Sequence, residues 1–468
     1  MAFKPYPITA FPGMQTYGDA EGVTGAANAL NVFLPEPGIL RVRNGLTQAG
    51  STNFGTSPQG ARAWAGYYVI GYADGSVRVA NQSSLASVST ATYSSAPHSY
   101  SFAPCGAKLY TAFKSTAYAT EIDSTGGQSA SSLGPKGLAV ANQQPDDRLV
   151  MSGGTSGPAA GTSSMSRVWF SGAGGGTSWG ADDYVDITPG DGEEITALNS
   201  WNGLVFAFKR TKFAVFYGNG VDSAGGSVFN YRMVDRLPDG GAFYQGNTLS
   251  MQDGLYFMNQ LGLWRTTGGA PVYVSGAVRD QFESQTWAPN TAGNAIAAGH
   301  LSMWPITVSS IAGYWLVLDH RTGDFWIWAY AEALPCGDFS NVSGTGQEVF
   351  FPRSNANGVM RTDPMLSATT TDNGTAISAL YQSPYLSFGS RGVRKHIRRT
   401  ELVKSGTLNL LWDADQGAAF SGSSLSSGTK FLNTAYRGDT LAWKVTSASG
   451  IWTLYSLIPW VDTVRDQQ

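Results

Sequence analysis

The stretch "DGEEITALNSWNGLVFAFKRTKFAVFYG", Asp191 to Gly218, holds adjacent carboxylates, an alternating aromatic run, a basic knot and a second aromatic run. Either acids face bases at an active site, or this is one strand pair of a repeating scaffold. Leu204, Phe206 and Phe208 alternate with Val205 and Ala207. Lys209, Arg210, Thr211 and Lys212 make a polar connection, and Phe213, Val215 and Tyr217 alternate with Ala214 and Phe216 on the return. Alternation across a polar connection is the signature of an antiparallel hairpin. Both of its faces are apolar, so the hairpin is expected to lie between other layers.

Similar units recur. "WAGYYVIGYADGSVRVA" carries the turn dipeptide Asp74-Gly75, and "GAKLYTAFKSTAYATEI" is expected to turn at Lys114-Ser115. "QDGLYFMNQLGLWRT" turns near Asn259-Gln260, and "GYWLVLDHRTGDFWIWAY" turns around Arg321 to Asp324. "RVWFSGAG" and "QEVFFPRSNANGVMRT" read as further copies. The units start roughly 34 to 59 residues apart, near the ~40–50 of propeller blades. A two-stranded unit cannot bury both faces alone, and stacking blades around an axis supplies the missing layers.

The expected fold is therefore all-β: a β-propeller of about six or seven irregular blades over residues 61–375. Residues 1–60 are an N-terminal segment that packs on or closes it. Residues 376–468 form a small C-terminal β-sandwich, read from "GTLNLLWDA", "DTLAWKVT" and "GIWTLYSLIPWV". An irregular β-sandwich throughout is the alternative, since no strict motif repeats. "GDAEGVTGAANAL" is the best short helix candidate.

Composition agrees. The 468 residues include 58 glycines and 12% aromatics, but only 13% charged residues, about half the usual ~25%. The net charge of −3 gives no overall pull towards nucleic acid or anionic membrane. Cys105 and Cys336 are read as buried thiols. "AAGHLSMWPITVSSIAGYWLVL" is broken by Pro305, Ser309, Ser310 and Gly313, so it reads as two strands and a turn rather than a membrane span.

Asp182, Asp183, Asp186, Asp191, Glu193 and Glu194 crowd into one loop. Hard cations take several such oxygens, and glycosidases use paired carboxylates. The spacing does not match the twelve-residue calcium loop, and a solvated loop or subunit contact is the favoured reading. "GTSWG" around Ser178 mimics a nucleophile elbow, but no buried strand is expected before it and no helix after it. His98, His300, His320 and His396 lack metal-ligand spacing. No catalytic residue, metal or cofactor is assigned. The one dense basic run is Arg391, Arg394, Lys395, His396, Arg398 and Arg399. It reads as a strand with one buried and one charged side: a protein interface, a DNA-facing surface or a solvated edge.

Three stretches carry a family resemblance: "ALNVFLPEPGILRVRNGL", "SRVWFSGAGGGTSWGADDYVDI" with "WNGLVFAFKRTKFAVFYG", and "YWLVLDHRTGDFWIWAY". In these the chain resembles the β-propeller hub, or nozzle, proteins in the tails of short-tailed bacteriophages. The resemblance implies a structural virion protein without catalytic residues, assembled in the host cytoplasm into a hexameric ring. Implied partners are the portal-adaptor ring, tail fibre, spike or needle proteins, and viral DNA in transit, bound without sequence specificity; no membrane is implied. Among competing readings, a carbohydrate-binding or glycan-hydrolysing propeller comes next.

Overall fold

The computed structural model describes residues 4–16, 25–50, 57–92, 100–113, 119–130, 139–144, 146–152, 165–180, 182–217, 230–234, 240–289, 293–332, 334–342, 346–353, 358–363, 369–388, 393–415, 420–428, 431–447 and 451–464. The hairpin at its centre forms as its alternation dictates. Leu204–Phe208 pairs with Phe213–Tyr217 in the register Phe206↔Val215 and Phe208↔Phe213. The preceding strand, Ala197–Trp201, joins it through Asn202-Gly203, both at positive φ, the two-residue turn whose twist suits a hairpin.

Each face of this sheet meets a different neighbour. Val205, Ala207, Ala214 and Phe216 pack with Val150, Val168 and Phe170 of the sheet before it. Phe206, Phe208, Phe213 and Val215 pack with Leu255 and Phe257 of the sheet after it. Burial of apolar surface on both faces is the main force holding such a stack.

Six separate four-stranded antiparallel sheets form the blades of a β-propeller. The first is Pro58–Trp64, Tyr67–Tyr72, Ser76–Asn81 and Ser87–Thr92, and the second is Tyr100–Cys105, Lys108–Phe113, Thr120–Ile122 and Gln128–Ala130. Val140–Gln143, Arg148–Ser152, Arg167–Phe170 and Tyr184–Asp186 make the third. Ala197–Trp201, Leu204–Phe208, Phe213–Tyr217 and Asn230–Val234 make the fourth. The fifth is Thr248–Met251, Gly254–Asn259, Gly262–Thr266 and Val272–Tyr273. The sixth takes Asp338–Val342, Gly346–Pro352 and Val359–Thr362, and its outer strand is the N-terminal Thr47–Ala49. The chain thus closes its ring with a segment from the far end of the sequence.

Between the fifth and sixth blades lies a further sector of four strands: Ile296–Ala298, Leu301–Val308, Ile311–Asp319 and Asp324–Ala329. Its innermost strand touches the inner strands of both flanking blades. This sector contains the expected "YWLVLDHRTGDFWIWAY" hairpin, but it does not end as a blade. Asp324–Ala329 pairs with Asn28–Leu30, and the sheet runs on through Ala379–Gln382, Leu441–Ser447, Leu408–Ala414 and Ser421–Leu425; with Trp287–Pro289 on the Leu301–Val308 strand it has ten strands in all.

A second sheet faces that extension: Val32–Glu36, Ile39–Val42, Thr453–Val464, Arg394–Ser405 and Phe431–Gly438, with Lys4–Pro5 on its Thr453–Val464 strand. Leu402, Leu454 and Leu457 of this sheet share one core with Leu410, Trp412 and Trp443 of the other. That core continues into the sector, where Trp304, Trp315, Trp326 and Trp328 are fully buried.

Strand pairing runs across residues 60 and 375 rather than following chain order. Strands from residues 28–42 belong to the sandwich, residues 47–49 to a blade, and the sector to both lobes. The reason is pairing between strands remote in sequence, which local alternation does not encode. The helix candidate is also corrected: residues 18–24 of it lie outside the described residues, and Asn28–Leu30 is a strand. Among the described residues the α-helix is Arg279–Glu283, and no helix is long and apolar enough to cross a membrane. Leu301–Val308 and Ile311–Asp319 are joined by Ser309 and Ser310, both at positive φ. The expected turn at Lys114-Ser115 lies outside the described residues.

Candidate functional site

The acidic loop and the basic knot do meet, as structure. Lys209 extends the hairpin strand into the protein, where its side chain is fully buried. Its Nζ lies 2.9 and 2.8 Å from the two Asp191 oxygens and donates to Ser166 Oγ at 2.9 Å. Lys212 reaches the same carboxylate at 2.8 Å. Burial works to raise the Asp191 pKa, but hydrogen bonds from Lys209, Lys212 and the Glu193 N–H hold it well below the usual carboxylate range.

The other acids are drawn elsewhere. Asp186 takes a bidentate pair from its cross-strand partner Arg167, 2.8 Å at each oxygen, while the guanidinium also sits 3.5 Å over the Tyr184 ring. Asp183 accepts from the Gly180 N–H at 3.0 Å, and Glu193 from Thr211 Oγ1 at 2.9 Å. Asp182 is exposed and Glu194 half-buried. Among the described residues no three His, Cys, Asp or Glu side chains are placed to hold a metal.

The propeller axis is a cavity of about 810 Å³ lined by the inner strands, with Arg62, Asn142, Asn199, Gln245, Asn294 and Asp338 on its wall. Inner strands have a free edge, and these side chains satisfy it. Gln245 brackets Leu198, accepting from its N–H and donating to its carbonyl, both at 2.7 Å. Asn294 accepts from the Ala61 N–H at 3.0 Å and donates to the Gly337 carbonyl at 2.7 Å. Asp338 accepts from the Ala63 N–H at 2.8 Å and lies 3.6 Å from Arg62. Burial pushes the Asp338 carboxyl up despite that cation. The wall is a set of stitches between blades.

The nearest thing to a nucleophile–base pair was not legible in the sequence. His300 and His320 flank the strands Leu301–Val308 and Ile311–Asp319 and face each other, with the His320 N–H on the His300 carbonyl at 2.9 Å. His320 Nε2 lies 2.7 Å from Ser302 Oγ, and its ring stands edge-on to Tyr256 at 5.2 Å. Tyr256 donates to Asp253 at 2.7 Å. Ser302 is completely buried, so no substrate carbonyl can approach its oxygen. A cross-strand register, once assigned, is the signal that would have paired these histidines. Ser178 sits exposed in an irregular loop, without the strand and helix an elbow needs.

The basic run forms the expected strand, Arg394–Ser405. Arg394, Arg398 and Arg399 are exposed, and a bulge between Ile397 and Arg399 turns two consecutive arginines outward. Lys395 is corrected: it is buried, its Nζ donates to the Asp439 carbonyl at 2.8 Å, and burial pulls its pKa down. His396 is buried too. Arg391 and His98 lie outside the described residues.

No protein-family model matches the chain, and no curated protein does. Solved β-propellers do resemble it. The β-propeller domain of Myceliophteria thermophila Cps50 (Swd1) is 7% identical, with a TM-score of 0.44 over 68% of this chain and 98% of that one. The computationally designed Ika8 protein is 13% identical, with a TM-score of 0.39 over 67% and 98%. BamB from Moraxella catarrhalis is 13% identical, with a TM-score of 0.36 over 76% and 97%. At such identities the likeness concerns strand arrangement alone. The chain is an all-β protein built on a β-propeller.

Proposed function

We propose that this chain is a structural subunit of the tail of a short-tailed bacteriophage, forming a hub or nozzle ring. The ring connects the portal and adaptor to distal tail parts and surrounds the path of the genome. The observation that supports this most is the sheet shared by the two lobes. A ten-stranded sheet runs from the propeller sector into the sandwich, and the N-terminal strands are divided between both. Such a body transmits load between its two ends without a hinge, which suits a connector. The same reading accounts for ionisable groups spent on ion pairs and blade stitches. Carbohydrate recognition in the axial cavity draws less support, because the amides of its wall are engaged with neighbouring strands.

Light scattering of the purified chain, alone and with a portal–adaptor preparation from the same virus, tests the proposal. Sixfold assembly in either condition is the expected result. A monomer that ignores the adaptor would overturn it.

A further inference from the structure

The outer face of the sandwich sheet breaks the usual pattern of a solvated surface. Its inward residues, Ile397, Leu402, Leu454 and Leu457, are buried as the pleat requires. Outward, Val403, Phe431 and Tyr455 are 50%, 45% and 43% exposed, three of the nine large apolar side chains that stand exposed among the described residues. They stand on three adjacent strands. Glu401 lies between Phe431 and Ile458, Arg399 between Asn433 and Trp460, and Val403 beside Ser456. The Arg399 guanidinium lies 3.7 Å over the Phe431 ring. Aromatic rings and arginines gathered on one face have the composition of an interface centre.

Charge identifies the occupant. On this face the exposed cations are Arg394, Arg398, Arg399 and Arg437, against Glu401 and, on the neighbouring strand Thr453–Val464, Asp462. Their net +2 leaves −5 on the rest of a chain whose total is −3. Two copies of this face would repel each other, so a two-fold, face-to-face dimer is disfavoured. One copy of the face against the acidic remainder of the next is attractive, and it is the head-to-tail geometry that closes into rings.

We infer that the outer face of the sandwich sheet, centred on Phe431, Tyr455 and Val403 and rimmed by arginines, docks onto a second copy of this chain head to tail. The inference rests on the ring reading and names the surface that makes the ring.

Sedimentation velocity of the full chain tests it, alone and bound to the portal–adaptor preparation, at low and high salt. Variants Phe431→Ser with Tyr455→Ser, and Arg398→Glu with Arg437→Glu, change exposed side chains only; circular dichroism checks their folding. Val272→Ser, on another exposed apolar residue, is the control. Expected are association that weakens with salt, at least about tenfold weaker association in both double variants, and a control like the parent. The salt response of the parent tests the charge argument even if a variant misfolds. Association that is salt-independent and equal in all variants would overturn this surface and leave the ring reading standing. A parent that never associates, alone or on the adaptor, would overturn both. A monomer that instead binds fluorescent oligothymidine, with loss in the arginine variant, would assign the face to nucleic acid and overturn the inference.

Discussion

Lys209 and Asp191 meet at 2.8–2.9 Å through both carboxylate oxygens, with the ammonium sealed from solvent. The hairpin turn and the acidic loop are thereby one unit, and the charges that resemble an acid–base site hold a loop in place. Asp191→Asn leaves a buried ammonium without its counter-charge, a change that costs about 3 kcal/mol. Denaturant unfolding should show that loss. Because the folded Asp191 pKa is depressed, its contribution is complete above the unfolded value of ~3.9 and is lost as pH falls through the folded one. The difference between parent and Asp191→Asn should therefore shrink only below about pH 4.

Arg43 is a second buried tie, between the N-terminal segment and the rest. Its guanidinium gives two bonds to Asp372, 2.9 and 2.6 Å, one to Asn31 Oδ1 at 2.9 Å, and lies 4.1 Å over the Tyr330 ring. Arg43→Met should destabilise by about 3–5 kcal/mol, since Asp372 stays buried without its partner. Arg43→Lys should recover little, because an ammonium cannot reproduce the planar fork. Urea midpoints of the two variants check both statements.

Gly71 and its cross-strand partner Gly60 form a slot for Tyr100 of the next blade. A Cβ at Gly71 would lie 2.4 Å from the Tyr100 ring, whose hydroxyl donates to the Tyr72 carbonyl at 3.0 Å. Gly71→Ala should cost about 1–3 kcal/mol through overpacking, read as a lowered Tm. Gly71→Ala with Tyr100→Leu should not be additive, because the two positions share one contact.

The three described histidines, His300, His320 and His396, are all shifted down, chiefly by burial. Each therefore takes a proton more readily when unfolded. Their contribution is complete above the unfolded pKa of ~6.5 and is lost as pH falls towards the folded values. Tm should be flat from pH 7 to 8 and fall between about pH 6.5 and 5. His320→Gln should flatten part of that slope.

The hairpins were legible because their information is local. Alternation in Leu204–Phe208 and Phe213–Tyr217, the Asp74-Gly75 turn and the turn after Asp319 each lie within a short stretch whose period and turn residues decide the pairing. The outward arginines of Arg394–Ser405 were partly legible too, but the bulge that turns Arg398 and Arg399 the same way was not.

Pairing between distant edges belonged to the tertiary structure. Asn28–Leu30 joins the sector to the sandwich, and Thr47–Ala49 closes the sixth blade. Either segment could pair with any open strand edge, since backbone hydrogen bonds carry no address, and only packing of the whole chain selects one. The same holds for charge. Asp186 and Arg167, or Asp372 and Arg43, are ordinary ionisable residues in sequence, and the fold alone decides which become partners. The amino-acid order by itself determined an all-β chain of stacked hairpins; burial on both faces of each hairpin and the choice among free edges made it a propeller fused to a sandwich.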